Sequence, residues 1–223
     1  MILLRQQRNL LQQERDLNRA VISGQEQEQS RIAQEIHDGL GVEVIAAKQM
    51  VRQIAHSSNL PQQAAEQCAQ LNELLEKIYQ DQRRISHNLM PSNLQQFGIL
   101  EALRELTFRI NEMKQVNCEY AATGNYQRRL PGNTELAIYR IAQEGIHNTI
   151  KHAQATSITV NFNVDQEGCT VTITDNGKGF DGKAHANGLG VKSMSSRAAL
   201  ADIHFDLQSS PGSGTTIQLK TKY

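Results

Sequence analysis

The chain has no excess of charge of either sign: 23 lysines and arginines balance 23 aspartates and glutamates. Without a basic surplus nothing draws nucleic acid, and without an acidic one there is no solvating tail. DNA is therefore not expected as a direct partner. Cysteine is scarce. Cys68, Cys118 and Cys169 are odd in number, far apart and without CxxC spacing, which argues against a disulfide framework and a zinc site and fits a reducing cytoplasm. A long apolar opening run is also missing. Met1 to Leu4 falls far short of the ~20 residues that cross a bilayer, and of a signal-peptide core. As given, the chain reads as soluble, and its start in the middle of a helical pattern suggests the cytoplasmic part of something longer.

What is present suits a globular protein. At 223 residues, 39% hydrophobic and 21% charged, the chain has room for two small domains. Leu3, Leu10, Leu17 and Val21 lie on one helical stripe in a background rich in Gln, Arg and Glu, and Gly24 interrupts it. Residues 1–29 thus read as a short coiled-coil helix. From Ile32 on, Ile36, Leu40, Val44, Ala47, Val51 and Ile54 recur at spacings of three and four until the Ser57–Pro61 break. A second helix carries Ala64, Cys68, Leu71, Leu75, Ile78, Ile85 and Leu89, with polar Gln82 at the one missing step, and ends before Pro91. Two such helices form an antiparallel hairpin over residues 30–92. One hairpin cannot cover both flanks of its seam, so a homodimeric four-helix bundle is expected.

Pro91 to Gly98 reads as a linker, after which the period changes and a second domain, 98–223, begins. Ile99 to about Lys114 is helical, and Val116, Cys118, Tyr120 and Ala122 alternate as in a strand. Asn133 to His152 is a further helix with Asn133 as its cap. Ile158 to Val164 and Val171 to Ile173 make one hairpin, and Ile203-Phe205-Leu207 with Thr215-Ile217-Leu219 make another. The fold class is therefore a helical hairpin followed by an α/β sandwich with helices on one face of a mixed sheet.

Three blocks carry chemistry. The first is Glu35-Ile36-His37-Asp38. Counted at 100° per residue, His37 lies about 75° from the centre of its apolar stripe, at the margin between core and solvent. A neighbouring carboxylate, Asp38 or Glu35, can fix the imidazole tautomer and offset the charge that develops when the ring acts as nucleophile. Asp38 is the better placed. In the second block, Glu144 and Asn148 share a helix face that Lys151 and His152 extend. Asn148 can offer a neutral oxygen to magnesium, and Lys151 or His152 can offset phosphate charge. The third block is Asp175-Asn176-Gly177-Lys178-Gly179, where the carboxylate can accept from an adenine amino group and the glycines let backbone approach a flat ligand. Gly188-Leu189-Gly190 opens a helix whose N-terminus can face phosphates, Asp181 to Asn187 reads as a mobile lid, and Thr215-Thr216 can line the adenine pocket. His56, His87, His185 and His204 show no metal-ligand spacing and read as structural or solvated.

From about Ser30 to Lys220 the chain resembles the sensor histidine kinases of the NarX/DesK/LiaS type. Arg31 to Gly41 is similar to their dimerisation and phosphoacceptor motif, Tyr139 to His152 to their N box, and Asp175 to Gly179 with Gly188 to Gly190 to their glycine boxes. The resemblance implies a Bergerat-type ATP-binding fold, ATP and Mg2+ as cofactors, and transfer of the γ-phosphate to His37. It further implies onward transfer to an aspartate of a response regulator, usually one with a LuxR-type DNA-binding domain. By it Asp38 is the activating acid, Asn148 the magnesium ligand and Asp175 the adenine anchor. Glu144 joins His37 and Asp38 as catalytic, and Lys151, His152, Gly177, Gly179, Gly188, Gly190 and Thr216 join Asn148 and Asp175 as cofactor-binding. An upstream sensor is expected to be missing from this chain. The sequence departs from the pattern at Val42, where the family carries a glutamine that positions water for regulator dephosphorylation. Two other readings are an ATP-driven dimer clamp of the wider Bergerat group and a kinase-like scaffold, neither of which requires the upstream His-Asp pair.

Overall fold

The computed structural model describes the backbone of residues 2–57, 60–124, 126, 129–181 and 188–222. Within its helices the side chains of residues 2–4, 7, 8, 10, 11, 14, 15, 37, 87, 88 and 92 lie outside the description. The chain divides into two units, Met1–Ser92 and Asn93–Tyr223.

The first unit is all helix. α1 (Ile2–Glu35) runs unbroken through Gly24, contrary to the interruption expected there. One glycine costs a helix interior about 1 kcal/mol relative to alanine, which the surrounding Gln, Glu, Arg and Leu absorb. A π-helical turn, Ile36–Leu40, follows, closed by the Gly41 N–H donating to the Ile36 carbonyl five residues back. α2 (Gly41–Ala55) and α3 (Gln62–Leu89) then form the expected hairpin. An ion pair between Lys48 and Glu76 links these two helices, with the Lys48 ammonium 5.5 Å from the centre of the Tyr79 ring. The π turn alters the sequence-based geometry. An angle counted at a constant 100° per residue does not hold across it, so the 75° placement of His37 relative to the α2 stripe is withdrawn.

The second unit begins at the segment expected to be a linker. Ser92–Phe97 is instead a short helix, α4, whose Leu94 is buried in the core. Gly98, at φ 83°, turns the chain into α5 (Ile99–Glu112). β1 (Asn117–Thr123), α6 (Gly132–Asn148) and β2 (Ser157–Val164) form a crossover with the two strands parallel, a pairing that needs a long connection such as this one. Asn133 is not the cap of α6. Pro131 holds that position, its carbonyl accepting from the Thr134 and Glu135 N–H groups, and Asn133 lies in the first turn. β2 turns back into β3 (Gly168–Asp175), where Asp165 Oδ1 accepts from the N–H groups of Glu167 and Gly168. α7 (Leu189–Leu200) precedes the antiparallel pair β4 (His204–Ser209) and β5 (Thr215–Lys222). The sheet order is β1-β2-β3-β5-β4.

Alternation explains which face is covered. On β2, Ile158, Val160, Phe162 and Val164 are buried while Asn161 and Asn163 between them are exposed. The buried set packs with Ile99 and Leu103 of α5, Ile138, Ile141 and Ile146 of α6, and Met194 and Ala198 of α7. Side chain to backbone ties fasten the edges of this core. Asn111 donates to the Cys118 carbonyl and accepts from its N–H, both at 2.7 Å. Glu135, 1% exposed, accepts from Arg129 and from the Tyr126 hydroxyl, while Arg129 also donates to the Leu94 and Gln95 carbonyls of α4.

Candidate functional site

The His-Asp pair sits on the π turn Ile36–Leu40. The imidazole of His37 lies outside the described side chains, and Asp38 is exposed. Glu35, the other carboxylate considered for activating the ring, is engaged by Arg31, which also holds Glu28 at 2.6 Å. Of the two, Asp38 alone shares the turn with His37. From α3, Gln82 Nε2 donates to the Ile36 carbonyl, and one turn on Ser86 Oγ donates to the Ala33 carbonyl at 3.1 Å.

In the second unit a cavity of about 520 Å³ opens between α6, the π turn Thr149–Ala153, the end of β3, α7 and β5. Asn148, His152, Asp175, Gly179, Gly188 and Gly190 line it, so six of the expected binding positions come together. The Asp175 carboxylate is 6% exposed; Oδ2 lies 3.0 Å from the Thr149 hydroxyl and Oδ1 accepts from the Gly177 N–H at 2.8 Å. Each oxygen keeps a lone pair for an amino-bearing heterocycle. Asn148 Nδ2 donates to the Glu144 carboxylate at 3.2 Å, a bond that does not use its amide oxygen. That donor set of one amide oxygen beside one carboxylate fits a hard cation that keeps several waters and shares phosphate oxygens. Ile173, Leu207, Ile217, Met194 and Val191 supply apolar wall, as a planar base requires.

Three expected positions lie differently. Thr216 does not face the cavity. Alternation along β5 puts Thr215 and Ile217 on the cavity side, while Thr216 points away and bonds to Thr174 at 3.3 Å. Lys151 is exposed and is not among the residues lining the cavity, where His152 takes that role. Gly177 is not among the residues lining the cavity, and a Cβ there would meet the Ala153 carbonyl at 2.5 Å. Gly179, which does line the cavity, sits at φ 59°, where a side chain would also strike the Ser210 carbonyl. The expected lid falls outside the described residues at 182–187, and His185 with it.

Sequence reasoning missed Thr149 and Met194. Thr149 had a signal, a hydroxyl next to Asn148 in a stretch otherwise amphipathic, but its inward direction comes from the π turn. Met194 reads as ordinary core from its spacing, and of the two threonines expected at the pocket Thr215 lines it.

Residues 28–94 match the model of the histidine kinase family, and residues 133–223 that of the histidine kinase-, DNA gyrase B- and HSP90-like ATPases. The signal transduction histidine-protein kinase/phosphatase DegS of Brevibacillus brevis is 28% identical over 201 residues, 88% of this chain and 52% of that protein. The sensor histidine kinase MctS of Rhizobium johnstonii is 31% identical over 210 residues, 90% of this chain and 44% of that protein. The chain thus spans about half the length of these relatives. The histidine kinase domain of the Erythrobacter litoralis EL346 blue-light activated histidine kinase superposes with a TM-score of 0.51 at 13% identity, covering 81% of this chain and 94% of that one. At that identity the likeness concerns the fold alone. With a histidine kinase domain leading into a histidine kinase-like ATPase domain, the chain fits the catalytic core of a NarX-type histidine kinase.

Proposed function

We propose that this chain transfers the γ-phosphoryl group of ATP to His37 and passes it on to an aspartate of a response regulator. The observation that carries the reading is the cavity in which Asn148 and the buried Asp175 meet beside the start of α7. Asp175 holds the base, Asn148 and Glu144 hold magnesium and its water, and the Gly188–Gly190 backbone with His152 faces the phosphates. When bound, ATP supplies the phosphoryl group and magnesium offsets its charge. A neutral ring nitrogen of His37 attacks the γ-phosphorus, the bond to the β,γ-bridging oxygen breaks, ADP leaves, and the proton on the other ring nitrogen is shared with or passes to Asp38.

Several finer assignments belong to the same proposal. Ile45, Ile54, Leu71, Leu74, Ile78 and Ile85 are exposed on the isolated hairpin, which supports a four-helix homodimer. The partner regulator carries a LuxR-type DNA-binding domain, and a sensor precedes α1 in the full-length protein, which places this core in the cytoplasm. Val42 is 63% exposed and cannot orient water, so phosphatase activity toward the regulator is weak.

The test is incubation with magnesium and γ-labelled ATP beside His37→Gln. Acid-labile, base-stable label on the parent alone is expected. Nucleotide binding without label overturns the reading in favour of a clamp.

A further inference from the structure

The least exposed residues of α3 recur at Ala64, Cys68, Asn72, Leu75, Tyr79, Gln82 and Ser86, and of these Gln82, 8% exposed, is the one that is buried. Its Nε2 donates to the Ile36 carbonyl, the same oxygen that closes the π turn by accepting from the Gly41 N–H. Its Oε1 is buried without a hydrogen-bond partner. An orphaned buried acceptor costs roughly 1–3 kcal/mol, and leucine at this position would bury a similar volume without it. Stability therefore does not account for glutamine here. Gly41 makes room for the amide, since a Cβ at that position would stand 2.9 Å from Nε2. Further along, Ser86 of α3 donates to the Ala33 carbonyl of α1 at 3.1 Å, and Met90 Sδ, just past the end of α3, accepts from Ser30 Oγ of α1 at 3.0 Å.

A π turn adds one residue to the helix. Returning it to α geometry would rotate the helix on one side by about 100° relative to the other, carrying the His37-Asp38 pair to a different place on the bundle. The π form lasts only if something outside the helix favours it, because its hydrogen bonding is otherwise the rarer choice. A donor from the packed neighbour, aimed at the carbonyl that closes the turn, supplies that preference.

We propose that Gln82 is a positioning residue for phosphorylation: by holding the Ile36 carbonyl it keeps Ile36–Leu40 in the π form and fixes where His37 presents its ring. This rests on His37 being the phosphoacceptor.

The test uses the full chain and compares Gln82→Leu, Gln82→Met and Gly41→Ala with the parent and His37→Gln. Labelling rate is read against ATP concentration, and melting temperature alongside. Both Gln82 variants should melt at or above the parent temperature with an unchanged KM for ATP. Their maximal labelling rate should fall roughly fivefold, the equivalent of one hydrogen bond. Gly41→Ala, which crowds the amide from the other side, should lower the rate in the same way. Combined with Gln82→Leu it should be no slower than the slower single variant. Parental rates in both Gln82 variants overturn the inference while leaving the proposed function standing. A rate loss matched by a fall in melting temperature, or a Gln82→Leu chain that does not fold, also overturns it. No label on the parent overturns the proposed function and this inference together.

Discussion

The Thr149 hydroxyl stands 3.0 Å from Asp175 Oδ2, joining the π turn after α6 to the end of β3 across 26 residues of sequence. The same hydroxyl lies 3.1 Å from the Gly145 carbonyl, so its single proton is held between the helix and the carboxylate. Asp175 therefore enters the cavity with its orientation already set.

Thr149→Val keeps the shape and removes that hydroxyl. Hydrogen bonds to a charged group are worth about 1.5–3 kcal/mol, and the carboxylate here keeps its Gly177 N–H. Affinity for a non-hydrolysable ATP analogue should fall by roughly tenfold, measured by calorimetry, with the melting temperature of the free chain lowered only slightly. Unchanged affinity would contradict the adenine-anchor role of Asp175.

Gly190→Ala should be more damaging to binding. Its Cβ would lie 2.5 Å from Glu144 Oε1 and 3.1 Å from Asn148 Nδ2, forcing apart the pair assigned to magnesium. Loss of magnesium-dependent ATP binding is the expected outcome, while magnesium-independent binding of ADP is less affected. Equal losses with and without the metal would count against Asn148 as its ligand.

Arg129→Ala leaves the Glu135 carboxylate, 1% exposed, with the Tyr126 hydroxyl as its one donor among the described residues, and removes the donor to the Leu94 and Gln95 carbonyls. Because Arg129 is itself 48% exposed, the loss is expected near the lower end for a broken buried pair, about 2 kcal/mol. Urea unfolding of the ATP-binding unit reads this directly. Glu135→Gln should cost less, since a neutral amide is easier to bury than an unpaired carboxylate.

Alkaline pH should weaken the same unit. Burial pushes the Cys118 thiol up to about 11 and the Cys169 thiol up to about 12, and it raises Tyr120 to about 12. Tyr126 is raised too, first by burial and then by its bond to Glu135. For acids raised in the folded state, the unfolded chain loses its protons first. The stability they contribute is complete below the unfolded values and declines as pH rises through the folded ones. The melting temperature should fall steadily from about pH 9 upward. A flat profile to pH 11 would contradict the burial of these groups.

Val42→Gln should raise dephosphorylation of a phosphorylated receiver domain without changing the rate at which His37 is labelled. Rapid dephosphorylation by the unchanged chain would remove the significance assigned to Val42.

The sequence by itself determined most of the elements and singled out six of the residues that line the cavity, because those rest on period and residue type. Alternation on β2 and β5 follows from the two-residue repeat of a strand. The three-four spacing on α3 marks it as a helix with an apolar stripe, and Asn148, Asp175, Gly188 and Gly190 are chemical types tied to short local motifs. Only the tertiary structure decided what depends on a partner from elsewhere in the chain. The helical turn at Ser92–Phe97 holds because Arg129 takes the Leu94 and Gln95 carbonyls. Thr215 rather than Thr216 faces the cavity because register against β3 sets the parity. Both π turns, under His37 and beside Asp175, involve bonds from distant residues, Gln82 in one and Asp175 in the other. A helix read along its own sequence assumes a constant rotation per residue. A side chain packed against it from outside can change that rotation, and no local pattern records it.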